Sequence, residues 1–177
     1  MRVVGGRHGG RTLIAPRGAA TRPTSDRVRE AAFSILGELD GLDVLDLFAG
    51  SGAMAIEALS RGAARATLVD SSDAAVAAMR RNLATLQIEA EVVHQPALRF
   101  LQRARHAARQ YDLVFLDPPY RHGDRLAADL TRALSPVLAS GSRVLAESDR
   151  RRPLELGLEL VDRRRYGDTL ISIHDAR

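Results

Sequence analysis

Two hydrophobic periods alternate along this chain. From residue 43 onward, short and nearly unbroken apolar runs at 44–48, 66–70, 90–94, 113–117 and 143–147 predict strands. Between them, 53–60, 73–86, 98–108 and 125–138 place apolar residues at helical spacing. Continuous apolar strands are expected where helices cover both faces of a sheet. Strand–helix alternation of this kind predicts an α/β fold with a mostly parallel, doubly wound sheet. The two ends depart from the pattern. Segments 2–4 and 12–15 flank Gly5-Gly6-Arg7-His8-Gly9-Gly10 and predict a β-hairpin. Residues 25–39 follow as an amphipathic helix, with Thr24 or Ser25 as its cap and Gly41 beyond its end. Segments 158–161 and 169–173 bracket Gly167-Asp168 and predict a C-terminal antiparallel strand pair. The expected organisation is an appendage of hairpin and helix at 1–40, packed on a single α/β domain at 41–177.

Composition narrows the field. At 177 residues, 45% hydrophobic and 27% charged, the chain has ordinary globular make-up and enough length for a real core. No apolar run approaches the ~18 residues of a membrane span, and the basic, glycine-rich start does not read as a signal peptide. The absence of cysteine excludes disulfides, thiolate metal sites and a cysteine nucleophile, and fits a cytoplasmic protein. His8, His94, His106, His122 and His174 show no metal-ligand spacing, so no metal is expected.

Charge is unevenly placed. Residues 1–29 hold seven arginines against one acid, Asp26, a net of +6 in a chain whose total is +4; the remainder is therefore −2. A basic arm on a nearly neutral body fits a polyanion partner. Its candidate contacts are Arg2, Arg7, Arg11, Arg22, Thr24, Arg27 and Arg29. Two further runs, Arg150-Arg151-Arg152 and Arg163-Arg164-Arg165, fit either RNA contact or a solvated face.

The first strand runs into Phe48-Ala49-Gly50-Ser51-Gly52 and then a helix. Glycines let the backbone turn sharply, and a helix N-terminus offers N–H groups to a ligand. Asp70 ends the next strand 18 residues after Gly52, where an acid can accept hydrogen bonds from ribose hydroxyls. Ser71 follows it. This loop alone fits NAD, FAD or S-adenosylmethionine. Asp46, set inside the first apolar strand, tilts the choice. A carboxylate near the loop can meet the ammonium of S-adenosylmethionine, which NAD lacks; alternatively it satisfies N–H groups of the loop itself.

The fourth strand ends in Asp117-Pro118-Pro119-Tyr120. Two prolines remove two N–H donors and stiffen the backbone. An Asp beside fixed carbonyls can accept both hydrogens of an exocyclic amine, and Tyr120 offers a face on which a flipped base can stack. In a doubly wound sheet the first and fourth strands are neighbours at the switch point, so this tetrapeptide should face the glycine loop across one crevice.

The tetrapeptide resembles the catalytic motif of methyltransferases that act on exocyclic amino groups. The chain as a whole resembles bacterial 16S rRNA (guanine-N2)-methyltransferases of the RsmD type. The matching segments are Arg2-Val3-Val4-Gly5-Gly6, Arg22-Pro23-Thr24, Asp26-Arg27-Val28-Arg29-Glu30 with Phe33, and Leu45-Asp46-Leu47-Phe48-Ala49-Gly50-Ser51-Gly52. Further matches are Glu57-Ala58-Leu59-Ser60-Arg61-Gly62-Ala63, Asn82-Leu83, Asp117-Pro118-Pro119-Tyr120 and Tyr166-Gly167-Asp168. The resemblance implies S-adenosylmethionine as methyl donor, S-adenosylhomocysteine as product, and a guanine of 16S rRNA as acceptor. It also implies a small ribosomal subunit or its assembly intermediate as partner, and a monomeric, cytoplasmic enzyme. Asp70 stands where the family often has Glu. Pro96 stands where Asp or Asn is common, which leaves adenine recognition to Ala97 and Leu98. The rivals are an adenine-N6 methyltransferase, a nicotinamide-dependent oxidoreductase and a non-catalytic RNA-binding module.

Overall fold

A computed structural model describes residues 1–16, 25–119 and 124–176. Its centre is a seven-stranded sheet in the order β3-β2-β1-β4-β5-β7-β6. The strands are β1 Asp43–Leu47, β2 Arg65–Asp70, β3 Glu91–His94, β4 Tyr111–Leu116, β5 Leu138–Asp149, β6 Glu159–Tyr166 and β7 Thr169–Asp175. β1 to β5 are parallel, whereas β7 runs antiparallel to both β5 and β6. The helices are α1 Asp26–Leu36, α2 Ala53–Ser60, α3 Asp73–Leu86, α4 Ala97–His106 and α5 Asp124–Leu134.

Alternating strand residues feed two cores. On one face Val44, Leu113, Phe115, Leu145 and Ile171 meet Val28, Ala32 and Phe33 of α1, together with α2 and Met79 of α3. On the other, Leu45, Leu47, Val114 and Leu116 meet Phe100 and Leu101 of α4 and Leu130 and Leu134 of α5. Both faces are covered, which is why the strands carry no polar alternation. Burying a side chain such as Phe100 stabilises the fold by about 1.5–3 kcal/mol.

Several element ends differ from the sequence reading for identifiable reasons. α1 stops at Leu36 because Gly37 adopts φ +69° and its N–H returns to the Phe33 carbonyl. Gly37, not Gly41, closes this helix, and Ser25 caps its start with a 3.3 Å bond from the Val28 N–H. α5 ends at Leu134, and Ser135–Val137 form a single tight turn, because Pro136 has no N–H to continue the helix. β5 consequently begins at Leu138, with its register against β4 shifting between Tyr111 and Leu113.

The N-terminal hairpin is reduced to one β-bridge, Arg2 with Thr12, around a short 3-10 turn at Gly6–His8. A regular ladder is precluded because the Val4 and Gly5 N–H groups donate instead to the Glu57 carboxylate of α2, at 2.6 and 2.7 Å. Val3 and Leu13 are buried against Ile56, Leu83 and Leu86, so the arm is built into the body.

Candidate active site and nucleic-acid interface

The glycine loop sits at the carboxyl end of β1, where the β1–β4 pairing of Leu47 with Leu116 brings the two strand ends side by side. Phe48 leaves β1 with φ +63°, an uncommon conformation for a bulky residue. The Ala49 N–H then bonds the Val69 carbonyl at 3.1 Å, and the Gly52 N–H bonds the Ala49 carbonyl at 2.7 Å. Gly52 is required twice over. Its φ is +78°, and a Cβ there would lie 2.6 Å from Leu68 Cδ2. α2 starts immediately after it.

Asp70 binds both sides of this mouth. Its Oδ2 accepts the Gly50 N–H and its Oδ1 the Ser72 N–H, each at 2.9 Å. Each oxygen keeps a second lone pair, so a ribose hydroxyl remains a compatible ligand. Ser71 is exposed beside it, and its carbonyl lies 3.0 Å from His94 Nε2. Ala97 is buried and Leu98 half-buried at the start of α4, whose cap is Pro96. The β2–β3 register, Asp70 with His94, carries the chain to that cap on the same edge of the crevice.

Asp46 is almost fully buried, and its Oδ2 accepts the Ala55 N–H of α2 at 3.1 Å. It therefore holds the first turn of α2, a helix N–H in place of the loop's own N–H groups. Burial pushes its carboxyl up to about 7, with the Ala55 bond opposing and nearby Asp70 adding to the rise. Asp117 follows the last residue of β4, reachable from the crevice but closely walled by protein. Desolvation raises its pKa well above the ordinary carboxyl range, and Glu147 and Asp46 raise it further. Leu116 pairs with Ala146, so Asp117 and buried Glu147 are neighbours on adjacent strands. Pro118 is buried and Pro119 exposed. Tyr120 lies outside the described residues.

The interface residues divide. Arg2, Arg7, Arg11 and Arg27 are exposed. Arg2 lies 3.3 Å from Asp26, and Arg7 donates to the Leu59 carbonyl. Arg29 is a correction. It is 1% exposed and is held by Asp26, by the Arg2 carbonyl and by Met1 Sδ, so it supports the arm instead of meeting a phosphate. Arginine spacing reveals charge but not burial. Arg22 and Thr24 lie outside the described residues.

Sequence reasoning assigned no role to four residues the structure makes central. Glu57 is fully buried and binds the arm backbone and Arg61. Ser60 accepts the His8 N–H and donates to the Gly5 carbonyl. Asn82 joins the arm to the glycine loop. Glu147 adjoins Asp117. The available signal was a polar residue inside an apolar stripe, as with Glu57 between Ile56 and Ala58.

A family model described as Conserved hypothetical protein 95 matches residues 1–175. Several relatives carry the name Ribosomal RNA small subunit methyltransferase D. The Escherichia coli (strain K12) protein is 43% identical over 125 residues, covering 70% of this chain and 62% of its own. The Haemophilus influenzae protein is 32% identical over 158 residues, covering 87% and 81%. Among solved structures, a hypothetical protein of Thermus thermophilus superposes with a TM-score of 0.86 at 30% identity, covering 99% of both chains. The T. thermophilus 16S rRNA N2 G1207 methyltransferase RsmC, solved with AdoMet and guanosine, shares the fold with a TM-score of 0.70. It is 20% identical and covers 91% of this chain and 45% of its own.

Proposed function

Because the chain belongs to the RsmD family of ribosomal RNA methyltransferases, we propose that it methylates the exocyclic N2 of a guanine in small-subunit rRNA. One observation carries the reading: Asp117-Pro118-Pro119 leaves β4 directly beside the glycine loop leaving β1. Methyl donor and amine acceptor would then share one crevice.

The residues present fit S-adenosylmethionine, which when bound supplies a methyl group on a sulfonium sulfur. The loop 48–52 and the start of α2 would hold the donor's polar portion, with Asp46 as the carboxylate available to its ammonium. Asp70, with Ser71, would receive the ribose. Ala97 and Leu98 would flank the adenine through backbone and apolar contact. Asp117 and the Pro118 carbonyl would accept the two hydrogens of the guanine amine. That pairing orients the nitrogen lone pair, and a fixed site of this kind speeds transfer through alignment and preorganised charge. With its raised pKa, Asp117 can also hold the proton that the methylated amine releases. Tyr120 would support the base plane.

The arm supplies phosphate contacts through Arg2, Arg7, Arg11 and Arg27, which set affinity and position while the crevice selects the base. We infer that the partner is 16S rRNA in a small subunit or an assembly intermediate, and that the enzyme is a cytoplasmic monomer.

The test is incubation with labelled S-adenosylmethionine and small-subunit particles, followed by digestion to nucleosides. N2-methylguanosine is the expected product. N6-methyladenosine would instead establish the adenine reading, and RNA binding without transfer would reduce the protein to a binding module.

A further inference from the structure

Asn82 lies on the buried face of α3, 2% exposed, between the arm and the glycine loop. Its Nδ2 donates to the Ser51 carbonyl at 2.9 Å and to the Ile14 carbonyl at 3.0 Å. Its Oδ1 accepts the Ile14 N–H at 2.8 Å. One side-chain amide thus engages both backbone groups of an arm residue, as a neighbouring strand would, and also the peptide between Gly50 and Gly52. Ser51 is gripped from the arm a second time, since its hydroxyl lies 3.2 Å from Met1 Sδ. The two glycines adopt φ of +55° and +78° and the Gly52 N–H of the same peptide bonds the Ala49 carbonyl, so the loop sets the turn while the Asn82 and Met1 contacts add the arm's hold on it.

We propose that Asn82 is a positioning residue that couples the basic arm to the cofactor loop, so that occupancy of the loop tightens the arm. This rests on the reading of the loop as the S-adenosylmethionine site. Buried amides satisfied on both sides are costly to leave half-paired. A ligand that fixes the Ser51 peptide therefore favours the Asn82 orientation that also clasps Ile14. Linkage is reciprocal, so RNA held on the arm strengthens cofactor binding to the same degree. The methyl donor would thus firm an arm that is already docked through Glu57, Ser60 and the Val3–Leu13 cluster.

The test uses the full chain and S-adenosylhomocysteine, with calorimetry for affinity and hydrogen exchange for the arm. In the wild type, the product should slow exchange in peptides spanning residues 1–16 by about fivefold or more. Asn82→Ala should weaken product binding about tenfold and abolish that slowing. Ile14→Pro removes the N–H that Asn82 Oδ1 accepts, at a residue whose own side chain is exposed. It should abolish the slowing while affecting affinity less than Asn82→Ala. Leu83→Ala is the control for general loosening, because Leu83 packs in the apolar cluster with Val3 and Leu13 and its side chain has no polar atom to bond the loop. It should keep affinity within about twofold and retain the slowing. The coupling is overturned if wild-type arm exchange ignores the product, if Asn82→Ala binds it normally, or if Leu83→Ala and Asn82→Ala behave alike. A wild type that fails to bind the product overturns the cofactor reading itself, and the coupling with it.

Discussion

The two ends of the parallel sheet treat negative charge in opposite ways. At the amino ends of the strands, Asp43 pairs with Arg65 and Glu91 with Arg109. Arg109 lowers the Glu91 pKa, chiefly through its hydrogen bonds. A concavity of about 620 Å³ opens there, and two of its lining acids, Asp43 and Glu91, already have arginine partners. At the carboxyl ends, Asp46 and Asp117 form no ion pair among the described residues, and both are pushed toward the protonated form. One end spends its arginines on holding the fold together. The other keeps carboxylates in a state that costs stability and leaves them available to a ligand. Perturbed acids gathered in one crevice are a signature of chemistry, and matched pairs elsewhere are not.

The sharpest way to break this contrast is Asp117→Ala. The single-turnover rate should fall by roughly 10²–10³, as for loss of a preorganised electrostatic partner, with cofactor affinity nearly unchanged. A rate near wild type would remove Asp117 from the chemistry.

Asp70→Ala comes next in size. It deletes the acceptor of the Gly50 N–H as well as the proposed ribose contact, and calorimetry should show about 1.5–3 kcal/mol of lost cofactor affinity. Retained affinity would place the ribose elsewhere.

Asp46→Asn should separate stability from function. The folded-state pKa of about 7 lies above the ordinary value, so the unfolded chain ionises first and folding stability falls as pH rises from about 4 to 7. The amide keeps an acceptor for the Ala55 N–H and carries no charge. Denaturant melts should show the variant more stable at pH 8 by roughly 4 kcal/mol, with the difference vanishing near pH 4. Its cofactor binding should nevertheless weaken. A variant less stable at pH 8 would show that the charge is accommodated in the fold.

The smallest effect is expected at the opposite end. Glu91→Gln should cost no more than about 1 kcal/mol, because the pair with Arg109 is half-exposed. The sign is also reversed. The lowered Glu91 pKa gives stability that is present above the ordinary carboxyl range and lost as pH falls through the folded value. Methyl transfer should be unaffected.

Much of this arrangement was legible in the residues themselves. Helices 53–60 and 73–86 were readable to the residue, because apolar period, capping Ser72 and flanking glycines agree there. The crevice followed from strand order, since a glycine loop after the first strand and a rigid acid after the fourth must meet at the switch point. That the arm's hairpin keeps a single bridge is not legible in the sequence, because its partners are not local. Glu57, Ser60 and Asn82 sit inside apolar helix faces and satisfy backbone groups 52 to 68 residues away, a relation with no period. The strain at Phe48 was equally invisible, because only the fold imposes a positive φ on an aromatic residue.

Those long separations also matter during synthesis. The segment from Val4 to Ile14 leaves the ribosome 52 to 68 residues ahead of the side chains that will hold it. At about 5–20 residues per second it waits on the order of 3–14 s before the Val4, Gly5 and Ile14 N–H groups can meet those partners. Its glycines and arginines keep the waiting chain soluble, while Val3 and Leu13 are the apolar residues that will be buried once α2 and α3 emerge. The arm is thus made ahead of every side chain that holds it, so an incomplete chain ending before α2 would carry its basic segment undocked.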